Sequence, residues 1–274
     1  MSLGSLLAGL AIGLALVMTG AWVIVVRTGK SGWIDAIWSL AVGAAGIVAA
    51  LIATGSGTPT TRQIVVAALA AIWSLRLGLH IAQRTVSGGG DDPRYAKLRE
   101  EWGDAFPRRL LLFLQIQAAC GFLLVLSILV AAHNPAPGLR VGDGLGALLL
   151  VAAIVGEGIA DNQLVRFRAD PANKGRVCDI GLWGVSRHPN YFFEWLGWLA
   201  YAVIAIDPTG GYVWGWIALA GPALMYWLLV YASGIPPLEA HMLRSRGDAF
   251  RAYQARVNAF WPGPPRARRR MARS

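Results

Sequence analysis

Cysteine, charge and acidity are all scarce in this chain, and each scarcity excludes a class of explanation. Only Cys120 and Cys178 occur among 274 residues. One falls in an apolar run and the other in a polar loop, so no disulfide framework is expected. The four histidines, His80, His133, His188 and His241, are scattered without HExxH or CxxC spacing, so no metal site is expected either. Charged residues are 15% of the chain, against about a quarter in soluble domains. That argues against an ordinary soluble globular protein. Acids are outnumbered by bases, 15 to 25, for a net charge of +10. Neither an internal repeat nor a pair of broken apolar segments marks the chain as a transporter.

What the chain has instead is long apolar runs. A bilayer core of about 30 Å takes roughly 20 apolar residues per helix. The runs predict an all-α membrane protein with about seven spans, near 3–26, 33–53, 63–83, 110–132, 144–165, 190–207 and 211–233. The first is too long for a signal-peptide core and has no Lys or Arg from Met1 to Thr19, so it reads as a retained span. Residues 1–260 read as one polytopic domain and 261–274 as a basic tail. The cations are unevenly distributed. Loops 27–32, 84–109 and 166–189 and the tail hold nearly all of them, whereas the alternate loops hold only Arg62 and Arg140. This positive-inside pattern places the N-terminus outside and the C-terminus in the cytoplasm. It accounts for the basicity by topology and anionic lipid rather than by nucleic acid. In loop 84–109, Gly88 to Pro93 predict a turn and Arg94 to Trp102 a short helix. Residues 238–260 predict an amphipathic helix, interrupted near Gly247, lying against the inner face. Trp183, Trp195, Trp198, Trp214 and Trp216 sit near span ends and read as an interfacial belt.

The informative residues are ionisable groups inside the runs, each costing at least ~2.5 kcal/mol at the bilayer centre. Asp35 opens the second span, either as a helix-end acid or as a site residue. Arg76, His80 and Arg84 share one face of the third span at spacings of four. Snorkelling explains Arg84 better than the deeper Arg76. Glu157 and Asp161 share a face of the fifth span, with Arg166 and Arg168 following, and read equally as an ion-pair network or a ligand site. The densest polar stretch is Ser186-Arg187-His188-Pro189-Asn190-Tyr191-Phe192-Phe193-Glu194. There Pro189 starts a helix that places Asn190 and Glu194 on one face, behind two basic residues. A helix start beside cations suits an anion.

The segment Asp179 to Trp198 resembles the C-terminal domain of the steroid 5-alpha-reductase superfamily, and more closely its bacterial branch. Support comes from Asp35 and Trp38, from Trp73 to Arg84 followed by Asp92-Pro93-Arg94-Tyr95, and from Glu239 to Tyr253. The resemblance covers roughly 30–260. It implies a reductase that uses NADPH on an activated C=C bond of a steroid-like or other lipid taken from the bilayer, in a bacterial inner membrane. It implies that Asn190 and Glu194 hold the nicotinamide and that Asp161 and Arg168 contact the adenosine and phosphate portion. NADPH carries phosphates that suit arginines, so Arg76, Arg84, Arg94, Arg166, Arg176 and Arg187 join His188, Tyr191 and Glu239 as cofactor candidates. The Gln-Glu pair of steroid-reducing members is absent, and the family's late Tyr falls at Glu239. Asp35, Tyr95 and His80 are the candidates to polarise a carbonyl, beside Glu194 at the nicotinamide. Arg187-His188-Pro189 is also similar to membrane methyltransferases that use S-adenosylmethionine, with Glu239, Gly247 and Tyr253 matching their C-terminal segment. A non-enzymatic lipid-binding or transport protein is the third expectation.

Overall fold

The computed structural model describes residues 2–52, 57–87 and 92–266. Gly88 to Asp91 of the expected turn, Gly88 to Pro93, and most of the basic tail lie outside the described residues. Among the described residues the regular structure is helical throughout: α1 (Leu3–Thr28), α2 (Trp33–Leu51), α3 (Thr61–Ser87), α4 (Pro93–Trp102), α5 (Phe106–Ala132), α6 (Val141–Ala169), α7 (Pro189–Ala205), α8 (Ala220–Trp227), α9 (Ile235–Arg246) and α10 (Asp248–Arg256). Six segments among the described residues are long and apolar enough to cross a membrane. The 17-residue α7, about 25 Å at 1.5 Å per residue, reaches the lower end of spanning length. This is a multi-pass integral membrane protein.

Helix ends follow local chemistry. Ser2 caps α1 by accepting from the Ser5 amide at 3.1 Å, and Asp92 caps α4 by accepting from the Arg94 amide at 2.9 Å. Gly247 (φ +52°) separates α9 from α10, at the interruption expected from the sequence. The expected seventh span, 211–233, is not one α-helix. It runs as a 3₁₀ stretch (Val213–Leu219), then α8, then a π turn (Leu228–Ala232). Gly215 presses on the Ala205 carbonyl, where a Cβ would stand 2.3 Å away, and the π turn precedes Gly234 and the donor-less Pro236-Pro237.

The chain divides into two compact units: residues 1–148 with 199–224, and residues 149–198 with 225 onward. In the first unit α2 packs on α1, α3 and α5. Apolar association gains little inside lipid, so close packing must supply the contact. Small residues do so here. A Cβ on Gly43 would stand 2.0 Å from the Ser74 hydroxyl of α3, and one on Gly46 would stand 2.6 Å from Ile128 of α5. In the second unit Gly156 of α6 admits the ring of Phe193 on α7. Phe250, Tyr253 and Val257 form a core with Val177, Met242 and Leu243. The apolar face of α9 and α10 therefore packs on the protein itself, not on a membrane surface as the amphipathic pattern suggested. Trp183 and Trp198 are buried and leave the expected belt, whereas Trp214 and Trp216 are exposed and fit it. Both cysteines are free.

Candidate functional site

Two polar clusters, one in each unit, gather most of the residues singled out above. In the first unit Asp35 stands in the first turn of α2. Its carboxylate accepts from the Arg94 guanidinium and, at 3.2 Å, from the Tyr95 hydroxyl. Both partners come from the first turn of α4, which the Asp92 cap orients. Asp92 also binds Arg94 at 3.0 Å and Arg84 at 3.6 Å. Burial pushes the Asp92 carboxyl up, but hydrogen bonds from Arg94 and the charges of Arg94 and Arg84 outweigh it and hold the group below its ordinary range. At the inner end of the cluster Gln117 of α5 donates to the Tyr95 oxygen at 3.1 Å. Trp38 holds that stretch of α5 by donating to the Gln117 carbonyl at 2.9 Å. The result is one chain of contacts, Gln117 to Tyr95 to Asp35 to Arg94 to Asp92 to Arg84. It runs from a buried phenol to an exposed guanidinium. Arg76 and His80 lie half-buried on α3, two turns and one turn before Arg84.

In the second unit Arg187, His188 and Glu239 come together. Arg187 grips Glu239 with two bonds, at 2.7 and 3.1 Å, and gives its remaining donor to the Gln254 and Val257 carbonyls. His188 Nε2 lies 3.0 Å from Glu239, and Gln254 donates to the same carboxylate at 2.6 Å. A carboxylate only accepts, so His188 carries its proton on Nε2. Burial pushes the imidazole pKa down by more than Glu239 pulls it up, and the ring is neutral. Its Nδ1 is buried without a hydrogen-bond partner, and its face stacks on Tyr191 at 5.4 Å. Tyr253 donates to the Trp183 carbonyl at 2.5 Å. Burial pushes this phenol up, so it stays a donor. Farther along, Asn190 donates to Asp161 at 3.4 Å, and buried Glu194 accepts from Trp198 at 2.9 Å. Glu157 is buried one turn before Asp161 on α6. Arg166, Arg168 and Arg176 are exposed, the last 3.3 Å from Asn173.

A family model described as "Protein of unknown function (DUF1295)" matches residues 21–257. The chain belongs to the DUF1295 family. That family is related to steroid 5-alpha-reductase-like membrane proteins. An uncharacterized protein of Schizosaccharomyces pombe is 24% identical over 271 residues, covering 88% of this chain and 75% of its own. No solved structure matches. The family match takes in both clusters, from Asp35 to Gln254.

Three residues of these clusters escaped the sequence reading as site members: Asp92 as the link between Arg84 and Arg94, Gln117, and Gln254. Ionisable groups in apolar runs carry the plainest signal of a site. Gln117 carries no charge, yet it interrupts the run 110–132 just as Asp35 interrupts the second, and an uncharged amide in a span is a legible signal.

Proposed function

We propose that this protein is a membrane-embedded reductase that uses NADPH on the C=C bond of an enone in a lipid drawn from the bilayer. The observation that carries the reading is the Tyr95 hydroxyl, buried between an ion-paired carboxylate and an amide donor. A phenol so placed can turn its hydrogen from Asp35 to a carbonyl oxygen while Gln117 still donates to the phenol oxygen, which strengthens the phenol as a donor. Arg94 already donates to Asp35, and the Tyr95 hydroxyl points its hydrogen at the same carboxylate. The donor of the trio is therefore Tyr95, and Asp35 acts as its acceptor and anchor.

NADPH, when bound, supplies the hydride. The chain's residues fit such a group. Asn190 with Asp161, and Glu194 a turn beyond, offer the donors and acceptors an amide-bearing ring needs. The exposed Arg166, Arg168 and Arg176 of the same unit suit phosphate oxygens. Arg187 and Glu239 already bind one another, so their part is to hold His188 in one tautomer. In the positive-inside orientation these loops face the cytoplasm, where a soluble cofactor is found.

One observation favours a second reading. The closure of Arg187 and His188 on Glu239 joins the residues expected of a methyltransferase that uses S-adenosylmethionine. Titrating each cofactor against the detergent-purified protein in a thermal-shift assay separates the two. NADPH at 100 times its Kd should stabilise the fold by about 2.7 kcal/mol, and Glu194→Gln should lose that response. Stabilisation by S-adenosylmethionine alone would replace the reductase with the methyltransferase. Stabilisation by neither would leave a lipid-binding or transport protein.

A further inference from the structure

Gln117 makes one side-chain bond where it can make several. Its Nε2 donates to Tyr95, but its Oε1 is buried and has no hydrogen-bond partner. Leaving a buried amide oxygen unpaired costs about 1–3 kcal/mol, and native structures rarely keep such atoms without a use. The stretch of α5 that carries this side chain is held in place. The Gln117 backbone carbonyl is tied to Trp38, and a Cβ on Gly121, one turn on, would stand 3.2 Å from the same Trp38 nitrogen. The contrast with Gln115, two residues earlier, is instructive. Gln115 donates to Thr19 of α1 at 3.1 Å and is an ordinary inter-helix tie, whereas Gln117 is tied to the one buried tyrosine of α4.

The Gln117 amide thus sets an unpaired acceptor one amide width from the nitrogen that contacts the phenol. A donor and an acceptor side by side are the complement of a group holding an acceptor and a donor side by side. We infer that Tyr95 and Gln117 form a two-point recognition site for a conjugated carbonyl with an N–H or O–H on the neighbouring atom, the carbonyl oxygen on Tyr95 and the donor on Gln117 Oε1. This rests on the reductase reading and narrows its substrate class. A plain 3-oxo steroid carries no such donor, which accords with the absence of the Gln-Glu pair of steroid-reducing relatives. Sites built to pair a polar group discriminate strongly against analogues that lack it, because the protein's own group is then left unpaired.

The test uses the full-length protein in detergent, without NADPH, and two probes: an α,β-unsaturated six-membered lactam bearing a dodecyl chain, as its N–H form and its N-methyl form. Isothermal titration calorimetry should show the N–H lactam binding at least tenfold tighter. In Gln117→Leu, and in Gln117→Met as a second variant should the first fail to fold, that preference should vanish. Tyr95→Phe should weaken both lactams while the preference persists. Equal affinities in the unaltered protein would overturn the inference, as would a preference that survives in the Gln117 variants, since steric rejection of the methyl group would then explain it. The reductase reading fails separately, through the absence of NADPH binding, which these titrations do not involve.

Discussion

The first unit holds two arginine–aspartate networks that teach different things. Arg62, at the start of α3, is 4% exposed and Asp143 is 3% exposed. The Arg62 guanidinium reaches both Asp143 oxygens, at 2.8 and 2.9 Å, and the carbonyls of Asn134, Ala136 and Gly138. Asp143 also accepts from the Arg140 amide at 2.5 Å, and Asn134 donates to the Ala205 carbonyl. Every donor of Arg62 is in use, so the network is closed at its arginine; the Nε of the neighbouring Arg140 is buried without a hydrogen-bond partner. The Arg94 network is open at both ends, with Arg84 59% exposed at one and the unpaired oxygen of Gln117 at the other. A closed buried network specifies one packing of helices, whereas an open one can take a further partner. That contrast separates scaffold from site here more sharply than charge does, since both networks centre on an arginine.

Asp143→Ala should cost about 3–5 kcal/mol of stability by stranding the buried Arg62, read as a fall in unfolding temperature in detergent. Cofactor response per folded molecule should stay unchanged. If the response were lost with the fold intact, the closed network would belong to the site. Tyr95→Phe should weigh the other way, lowering turnover about 10²- to 10³-fold at a smaller thermal cost, about 1–3 kcal/mol for the Gln117 donor left unpaired. A large thermal loss with normal turnover would make Tyr95 scaffold.

Gly43→Ala should cost about 1–3 kcal/mol through overpacking, because the new methyl meets Ser74, whose hydroxyl donates to the Ser39 carbonyl. It measures how far the site depends on the α2–α3 seam. A pH series addresses the second unit. His188 has a folded pKa below its ordinary value near 6.5, so the unfolded chain binds the proton more readily. Its contribution to stability is complete above about pH 6.5 and falls as pH drops below that toward the folded value. Unfolding temperatures measured from pH 8 to pH 5 should decline on the acid side, and His188→Gln should flatten that part of the curve. The smallest effect belongs to Lys97→Ala. Its exposed pair with Glu101 at 3.3 Å is worth under about 1 kcal/mol, and it serves as the control for every change above.

Much of the fold was legible because its signals are local. Pro189 opens α7, Gly247 parts α9 from α10, and apolar runs bounded by charged loops mark α1 to α3, α5 and α6. The seventh span, 211–233, falls in a segment apolar enough to cross a membrane, but its 3₁₀ and π stretches were hidden, because hydropathy measures composition, whereas Gly215, Gly234 and two prolines act on backbone geometry. The burial of Trp183 and Trp198 was equally hidden. Indole rings suit both an interface and a core, and only packing assigns them. Arg62 counted as one of two cations in the outer loops, and nothing near it in sequence announced Asp143.

Solvation cost and helix period act residue by residue, so a multi-pass helical membrane protein with polar residues placed where lipid penalises them can be read from the chain alone. Which of those residues meet is set by packing. Asp35, Tyr95 and Gln117 are far apart along the chain, as are Arg187 and Glu239. Their pairing follows from how helices touch, and inside a bilayer that depends on close fit and hydrogen bonds between side chains distant in sequence rather than on any local preference.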